Sequence, residues 1–334
     1  MIRLALAALA MLAAEPAAPD PARIGQALFA QGRLWVLAGG KVASLADGEP
    51  HWRAEPRFVG AIAACVRAGG IAALSERHGR TALVEANGRA RALTLPTNQH
   101  VRAMACDGTA TLVLTERTLM TVTGHRSTSV GLSESIGWTL PPAVLATPAA
   151  LFVGLDRGEW GGGLLRIDRA TGAVTTVERR GKSICDGPLN AGCDPVHAVA
   201  SAPWDKSCLV TAIGLQHFLS HGRVVEVCGS RVRVLFTTPV TDDRGGIERD
   251  RNGEAMETVP FYGLSADGNR LRAFGPGTTY TIDRTGQAVQ TALPPPRLVD
   301  GVAVSFAAPG AVLVYSGAIG RVALSDAIPL VASR

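Results

Sequence analysis

Residues 58–96 read FVGAIAACVRAGGIAALSERHGRTALVEANGRARALTLP, and four short apolar segments alternate there with turn-forming residues. The dipeptide Asn87-Gly88 is the preferred centre of a two-residue hairpin turn. The pattern predicts a unit of four antiparallel strands, at 58–67, 71–76, 81–86 and 89–95.

The same unit recurs along the chain, and the turn before its second strand marks the period. These turns lie at Gly32, Gly70, Gly108, Pro148, Lys206, Gly268 and Gly310. Four of the intervals are 38, 38, 40 and 42 residues, and the other two are 58 and 62 residues. Repeats of about 40–45 residues are typical of propeller blades. The sequence therefore predicts an all-β β-propeller of about seven four-stranded blades; six or eight blades, or a β-sandwich, are the alternatives.

Two segments resemble bacterial propeller repeats of the YVTN and two-component-regulator types. They are GGLLRIDRATGAV at 162–174 and TYTIDRTGQAV at 279–289, each similar to a third strand, a turn and a fourth strand. The resemblance implies a propeller fold and no particular activity.

The N-terminus has the pattern of a secretory signal. One arginine precedes the apolar segment Leu4–Ala14, which is followed by a Pro-rich exit and is too short to span a membrane. We expect a signal peptide at 1–14, a Pro/Ala-rich leader at 15–23 and a single propeller domain at 24–334, in a periplasmic or secreted protein. A buried first helix is the alternative.

Charge and composition limit the classes of partner that are expected. The formal net charge is +5, but the arginines are scattered and often stand beside acidic residues. Nucleic acid is therefore not expected as a partner. No later segment is long and apolar enough to suggest a membrane span. A monomer is expected.

The six cysteines are compatible with three bridges in an oxidising compartment. Cys185 and Cys193 would close a short loop, and Cys208 and Cys228 would face each other across a hairpin. Cys65 and Cys106 occupy equivalent places on neighbouring units, where either a bridge or two free buried thiols is possible.

Four irregular connections interrupt the repeat, at 157–162, 181–195, 214–222 and 241–258. Consecutive strands of a blade alternate in direction, so second-to-third connections and blade-to-blade connections share one face of the ring. All four fall in these two classes. We therefore expect them to form one binding face, since binding groups concentrate on loops held by a rigid scaffold.

The candidate ligand-binding or partner-binding residues of this face combine cations, carboxylates, imidazoles and an aromatic platform. They are Arg157, Glu159, Trp160, Asp194, His197, Gln216, His217 and His221. Glycines surround Trp160, and they serve either the approach of a ligand or packing on the next blade. The segment Asp250–Glu254 faintly resembles a calcium loop but lacks the acid required after the glycine, so no metal ligand is assigned.

The favoured hypothesis is an exported, non-catalytic binding or interaction module for a protein or small-molecule ligand, without a cofactor. The alternative is a periplasmic propeller hydrolase or lyase that uses Glu159, His197 and His217, with a divalent metal. Catalysis is left open by the sequence.

Overall fold

The computed structural model describes residues 24–67, 69–137, 143–182, 185–216, 220–242, 244–293, 297–299, 302–308, 311–316 and 328–331. The expected signal peptide at 1–14 and leader at 15–23 lie outside these residues. Within the described chain, no helix has the length and apolar character needed to cross a membrane.

Strands dominate the structure, and the first four sheets follow the chain in order. The first sheet contains β1 (Ile24–Ala30), β2 (Arg33–Ala38), β3 (Lys41–Ala46) and β4 (Arg53–Ala54). The second contains β5 (Ala61–Arg67), β6 (Gly70–Arg77), β7 (Arg80–Glu85) and β8 (Ala90–Leu93). The third contains β9 (Val101–Cys106), β10 (Thr111–Thr115), β11 (Thr118–Thr123) and β12 (Arg126–Gly131). The fourth contains β13 (Ala143–Ala146), β14 (Ala150–Asp156), β15 (Gly162–Asp168) and β16 (Val174–Val177).

Three further four-stranded sheets complete the described chain. The fifth contains β17 (Val196–Ala202), β18 (Asp205–Gln216), β19 (Ser220–Cys228) and β20 (Arg231–Phe236). The sixth contains β21 (Gly263–Asp267), β22 (Arg270–Gly275), β23 (Thr278–Ile282) and β24 (Ala288–Ala292). The seventh contains β25 (Arg297–Val299), β26 (Val302–Ala308), β27 (Ala311–Ser316) and β28 (Ile328–Val331). Among the described residues, two single 3₁₀ turns lie between strands, at Pro56–Phe58 and Gly158–Trp160.

The sheets form a ring in which the first strands of neighbouring sheets lie side by side. Contacts link β1, β5, β9, β13, β17 and β21 in succession. In the seventh sheet the last strand, β28, takes this inner position and lies beside both β21 and β1. Six sheets therefore run outward along the chain and the seventh runs inward. The all-β class, the propeller arrangement and the four-stranded blades predicted from the repeat are confirmed.

The core lies between neighbouring sheets. Leu112 and Leu114 of the third sheet, for example, pack with Leu151 and Val153 of the fourth, and all four side chains are buried. Consecutive residues of a strand point to opposite faces of the sheet, and both faces contact a neighbouring sheet. Strands such as β10 are therefore buried along their whole length. The ring is stabilised mainly by this burial of apolar surface.

One predicted connection is wrong. Residues 214–222 were expected to form an irregular loop, but Gly214 pairs with Gly222 and Gln216 with Ser220, so β18 and β19 form a long hairpin. Both positions are occupied by glycine because the next crossover packs directly against them. A Cβ on Gly214 would lie 2.7 Å from the Phe261 backbone, and one on Gly222 would lie 2.2 Å from a carbonyl oxygen in that crossover.

Three disulfides join cysteines in the pairs that the sequence suggested. Their Cα–Cα distances are 5.7 Å for Cys65–Cys106, 5.3 Å for Cys185–Cys193 and 4.4 Å for Cys208–Cys228. The pair that was open, Cys65–Cys106, links β5 to β9 and so joins two neighbouring blades. The other two pairs stiffen the fourth-to-fifth crossover and the long hairpin of the fifth sheet.

Candidate functional site

The turn between β14 and β15 is docked on the crossover that follows the fourth sheet. The Gly162 amide donates to the Ala191 carbonyl at 3.0 Å, and the Gly163 amide donates to the Asp194 carbonyl at 2.8 Å. The predicted connections 157–162 and 181–195 are therefore in direct contact.

The hairpin strand β19 joins that crossover to the next one. Arg223 donates from Nε to the Pro188 carbonyl at 2.9 Å. At the same end of β19, the Ser220 amide donates to Glu257 Oε1 at 2.9 Å, and the Thr258 amide donates to the Ser220 carbonyl at 3.0 Å. Hydrogen bonds thus connect all four elaborated segments across the fourth, fifth and sixth sheets. We call this surface the insertion face.

The glycines around Trp160 allow the turn to pack closely against the crossover. A Cβ on Gly161 would lie 2.4 Å from the Gly192 carbonyl carbon, and one on Gly163 would lie 2.6 Å from the Ala191 Cβ. Of the two roles that the sequence left open for these glycines, packing on the neighbouring segment accounts for Gly161 and Gly163.

Trp160 itself projects outward from this docked turn. Its exposed fraction is 76%, the largest among the exposed large apolar residues of the described chain. Arg157 and Glu159 are exposed on the same turn. The turn is fixed from within, because the Gly158 amide donates to Asp156 Oδ1 at 2.8 Å and the Arg157 amide donates to the Gly161 carbonyl at 2.9 Å.

A buried charged cluster lies beneath the crossover. The Asp194 carboxylate is fully buried and accepts from Arg223 Nη2 at 2.6 Å, from the Asn190 amide at 2.7 Å and from His221 Nε2 at 3.2 Å. Burial raises the pKa of Asp194, and the Arg223 guanidinium limits the rise. Burial, followed by the repulsion of Arg223, lowers the pKa of His221 to about 4.

His197 belongs to a second group near the inner strands. Its Nε2 lies 2.5 Å from the Gly214 carbonyl oxygen and its Nδ1 lies 3.4 Å from Asp156 Oδ2. The Tyr262 ring packs edge-on against the imidazole, with 5.0 Å between centroids, and the Tyr262 hydroxyl donates to Gln216 Oε1 at 3.5 Å. Burial, followed by the nearby Asp156 carboxylate, raises the pKa of Tyr262 to about 12.

The predicted residues are thus divided between three places. Arg157, Glu159 and Trp160 share the docked turn; Asp194 and His221 are in contact with each other; His197 and Gln216 flank Tyr262. His197 contacts Asp156, and His217 lies outside the described residues. Four residues that complete these groups were missed, namely Asp156, Asn190, Arg223 and Tyr262. They stand in ordinary strand and loop sequence, and only the blade-to-blade packing brings them in.

A ring of four-stranded antiparallel sheets defines this chain as a β-propeller, and solved structures similar to it include bacterial propellers. Virginiamycin B lyase from Staphylococcus aureus matches with a TM-score of 0.52 and 9% identity, over 93% of this chain and 94% of that chain. A streptogramin B lyase structure matches with a TM-score of 0.52 and 12% identity, over 90% and 92% of the two chains.

A third similar structure is the extracellular domain of BT4673, a one-component system from B. thetaiotaomicron. It matches with a TM-score of 0.50 and 12% identity, over 88% of this chain and 37% of that chain. No protein-family model and no curated protein matches the sequence. At these identities the similarity establishes the fold alone.

Proposed function

We propose that this chain is an exported, non-catalytic propeller that binds a protein or small-molecule ligand through the insertion face, formed by 157–162, 181–195, 214–222 and 241–258. The observation that carries the proposal is Trp160, whose side chain is 76% exposed on a turn fixed by backbone hydrogen bonds. Tryptophans of this kind are over-represented among the residues that dominate binding energy.

The rigidity of the turn supports a binding role. Ordering loops and side chains on association costs free energy, and a surface that is ordered beforehand avoids most of that cost. Here the turn is held by the crossover, and the crossover is held by the Cys185–Cys193 disulfide and the buried Asp194–Arg223 ion pair. Exposed Arg157 and Glu159 beside the indole supply charged groups at the edge of the apolar anchor.

Of the candidate histidines, the two that the structure describes, His197 and His221, favour binding over acid–base catalysis. Both ring nitrogens of His197 have contacts inside the protein, with the Gly214 carbonyl and with Asp156. His221 is a weak base, since its pKa is lowered to about 4, and its Nε2 is engaged by Asp194. A general base needs a nitrogen that can reach a substrate proton and titrate near the working pH. The hydrolase or lyase alternative would instead be favoured by a stoichiometric divalent metal in protein purified from the periplasm.

Export to the periplasm or medium is part of the proposal. Three disulfides within one chain are characteristic of oxidising compartments and rare in the cytosol. The signal-like segment at 1–14 is consistent with the same destination.

The proposal is tested by capture experiments with matched baits. Wild-type, Trp160→Ala and Val289→Ala proteins are immobilised and incubated with periplasmic and secreted fractions, and bound proteins and small molecules are quantified by mass spectrometry. Val289 is the control because it is also a large exposed apolar residue, 62% exposed, on β24 away from the insertion face. We expect a ligand that wild type and Val289→Ala retain and that Trp160→Ala loses by at least about tenfold, the effect of an anchor worth more than 1.4 kcal/mol. Equal capture by all three baits would contradict the proposal.

A further inference from the structure

A separate cleft lies on the outer part of the second sheet, against the turn that precedes that sheet. Its volume is about 560 Å³, which is within the range of small-molecule sites. The residues that line it are Arg57, Ser75, Arg77, His78, Arg80, Ala82, Val84, Gly88 and Ala90. No carboxylate is among these lining residues.

Positive charge converges on the cleft from three arginines. Arg57 is fixed by donating to Glu55 Oε2 at 2.8 Å and to the Ala86 carbonyl. Arg77 donates from Nε to the Val59 carbonyl at 2.9 Å, which holds its guanidinium in place without neutralising it. Arg80 has no ion pair or hydrogen bond through its side chain within the described chain. Two of the three guanidiniums therefore keep an uncompensated charge.

Ser75 supplies an independent sign of a ligand. Its side chain is only 4% exposed, it lines the cleft, and its Oγ has no hydrogen-bond partner among the described residues. A buried hydroxyl without a partner is unfavourable and calls for an explanation. A bound group with an accepting oxygen would satisfy it.

We propose that this cleft binds a small organic anion, a carboxylate or phosphate carried on an apolar body. Arginine guanidiniums match the oxygens of both anions in geometry and charge. The anionic group would lie among Arg77, Arg80 and the Ser75 hydroxyl. The wall of Ala82, Val84 and Ala90 would contact the apolar body. This site is on the second sheet, whereas the insertion face is on the fourth to sixth sheets, so the two proposals stand independently.

The first test measures binding of two anionic probes, benzoate and phenyl phosphate, by isothermal titration calorimetry. Benzamide, which has a similar shape and no charge, is the neutral reference. We expect at least one anion to bind wild type, with affinity that falls as salt is raised, and benzamide to bind at least about tenfold more weakly. Preference for one anion identifies which of the two classes the cleft selects.

Substitutions locate the binding. Arg80→Ala should weaken binding of the anion at least about tenfold, since a hydrogen bond to a charged group is lost. Arg270→Ala is the matched control, because Arg270 is an exposed arginine at the start of β22 on the far side of the ring, and its removal changes net charge equally. Thermal unfolding of both variants checks that each is folded.

Ser75→Ala separates a ligand role from a structural one. It should weaken anion binding while leaving the melting temperature of the free protein unchanged or higher, because an unsatisfied buried hydroxyl is removed. Thr211→Val is its control, since Thr211 Oγ1 is likewise buried without a partner but lies in the fifth sheet. Equal affinities of Arg80→Ala and Arg270→Ala, equal binding of benzamide and the anions, or no binding of either anion to wild type would each overturn the proposal.

Discussion

Asp194 shows how single residues stabilise the insertion face. A fully buried carboxylate is unfavourable unless it is paired and hydrogen-bonded, and Asp194 receives donors from a guanidinium, an imidazole and a backbone amide. Since these donors come from β19 and from the crossover itself, the buried charge holds the two segments together. Because desolvation of the Asp194 carboxylate is unfavourable, the buried charge is tolerated only when these three donors are in place.

The companion residue His221 makes stability depend on pH. Its pKa is about 4 in the folded protein and 6.5 in the unfolded chain. Between these values the unfolded state binds a proton that the folded state does not. The contribution of His221 is therefore complete above about pH 6.5 and is lost as the pH falls toward 4. Allowing for partial exposure, we expect a loss of about 1–2 kcal/mol between about pH 7 and about pH 5.

Urea unfolding of wild type and His221→Gln at the two pH values measures this effect. Glutamine can still donate to Asp194 and does not titrate, so its stability should fall less. Asp194 acts in the opposite sense, because its raised pKa makes the folded state bind a proton more readily than the unfolded state as pH falls. It is present in both proteins, so the difference between them isolates His221. Equal pH dependence in the two proteins would refute the assignment.

At the scale of elements, the insertion face is an assembly of turns and crossovers that fit closely enough to require glycine. Gly161 has a φ of +78° and faces the backbone of the crossover, whereas Gly158 in the same turn has a φ of +58° and nothing within 4 Å of its missing side chain. Both glycines have a positive φ, which disfavours residues with a side chain. Only Gly161 is also in close contact with the crossover.

This difference gives a matched prediction. Gly158→Ala should lower the free energy of unfolding by about 1–2 kcal/mol, the cost of a left-handed backbone with a side chain. Gly161→Ala should cost at least about 3 kcal/mol, because its Cβ also collides with the crossover. Hydrogen exchange provides the local measurement, since the Gly162 and Gly163 amides should exchange faster in Gly161→Ala only. Equal loss in both variants would mean that the turn is not docked as described.

Close contacts between segments also limit which strands and loops the sequence could predict. Local patterns predicted the second sheet well, since alternating apolar residues and Asn87-Gly88 are properties of a single hairpin. The same reasoning failed at 214–222, because Gly214 and Gly222 look like turn residues until the crossover that covers them is known. Asp156 and Tyr262 were missed for the same physical reason. Their role comes from packing between blades, which no local signal records.

For the whole molecule, the repeat predicted the ring but not how it closes. The turn at Gly310 was expected to precede the second strand of its unit, yet the strand after it, β27, is the third strand of its sheet and β28 follows at the inner position. The sequence pattern of a strand is the same whether its sheet runs from the inner to the outer edge or the reverse. Only the contact of β28 with β1 shows that the seventh sheet runs inward. Closure in this structure joins the described C-terminal strand to the first strand of the ring.

Ring closure should therefore depend on β28. Deleting residues 328–334 would leave the edge of β27 without its partner and open a gap between β21 and β1. We expect the melting temperature to fall by at least about 5 °C, with a broader transition, since the ring loses contacts at both ends of the chain. The protein should also associate in analytical ultracentrifugation, because an exposed strand edge pairs with other chains. Deleting residues 332–334 alone is the control and should change neither property. A monomer with unchanged melting after the longer deletion would show that the ring is held closed without this strand.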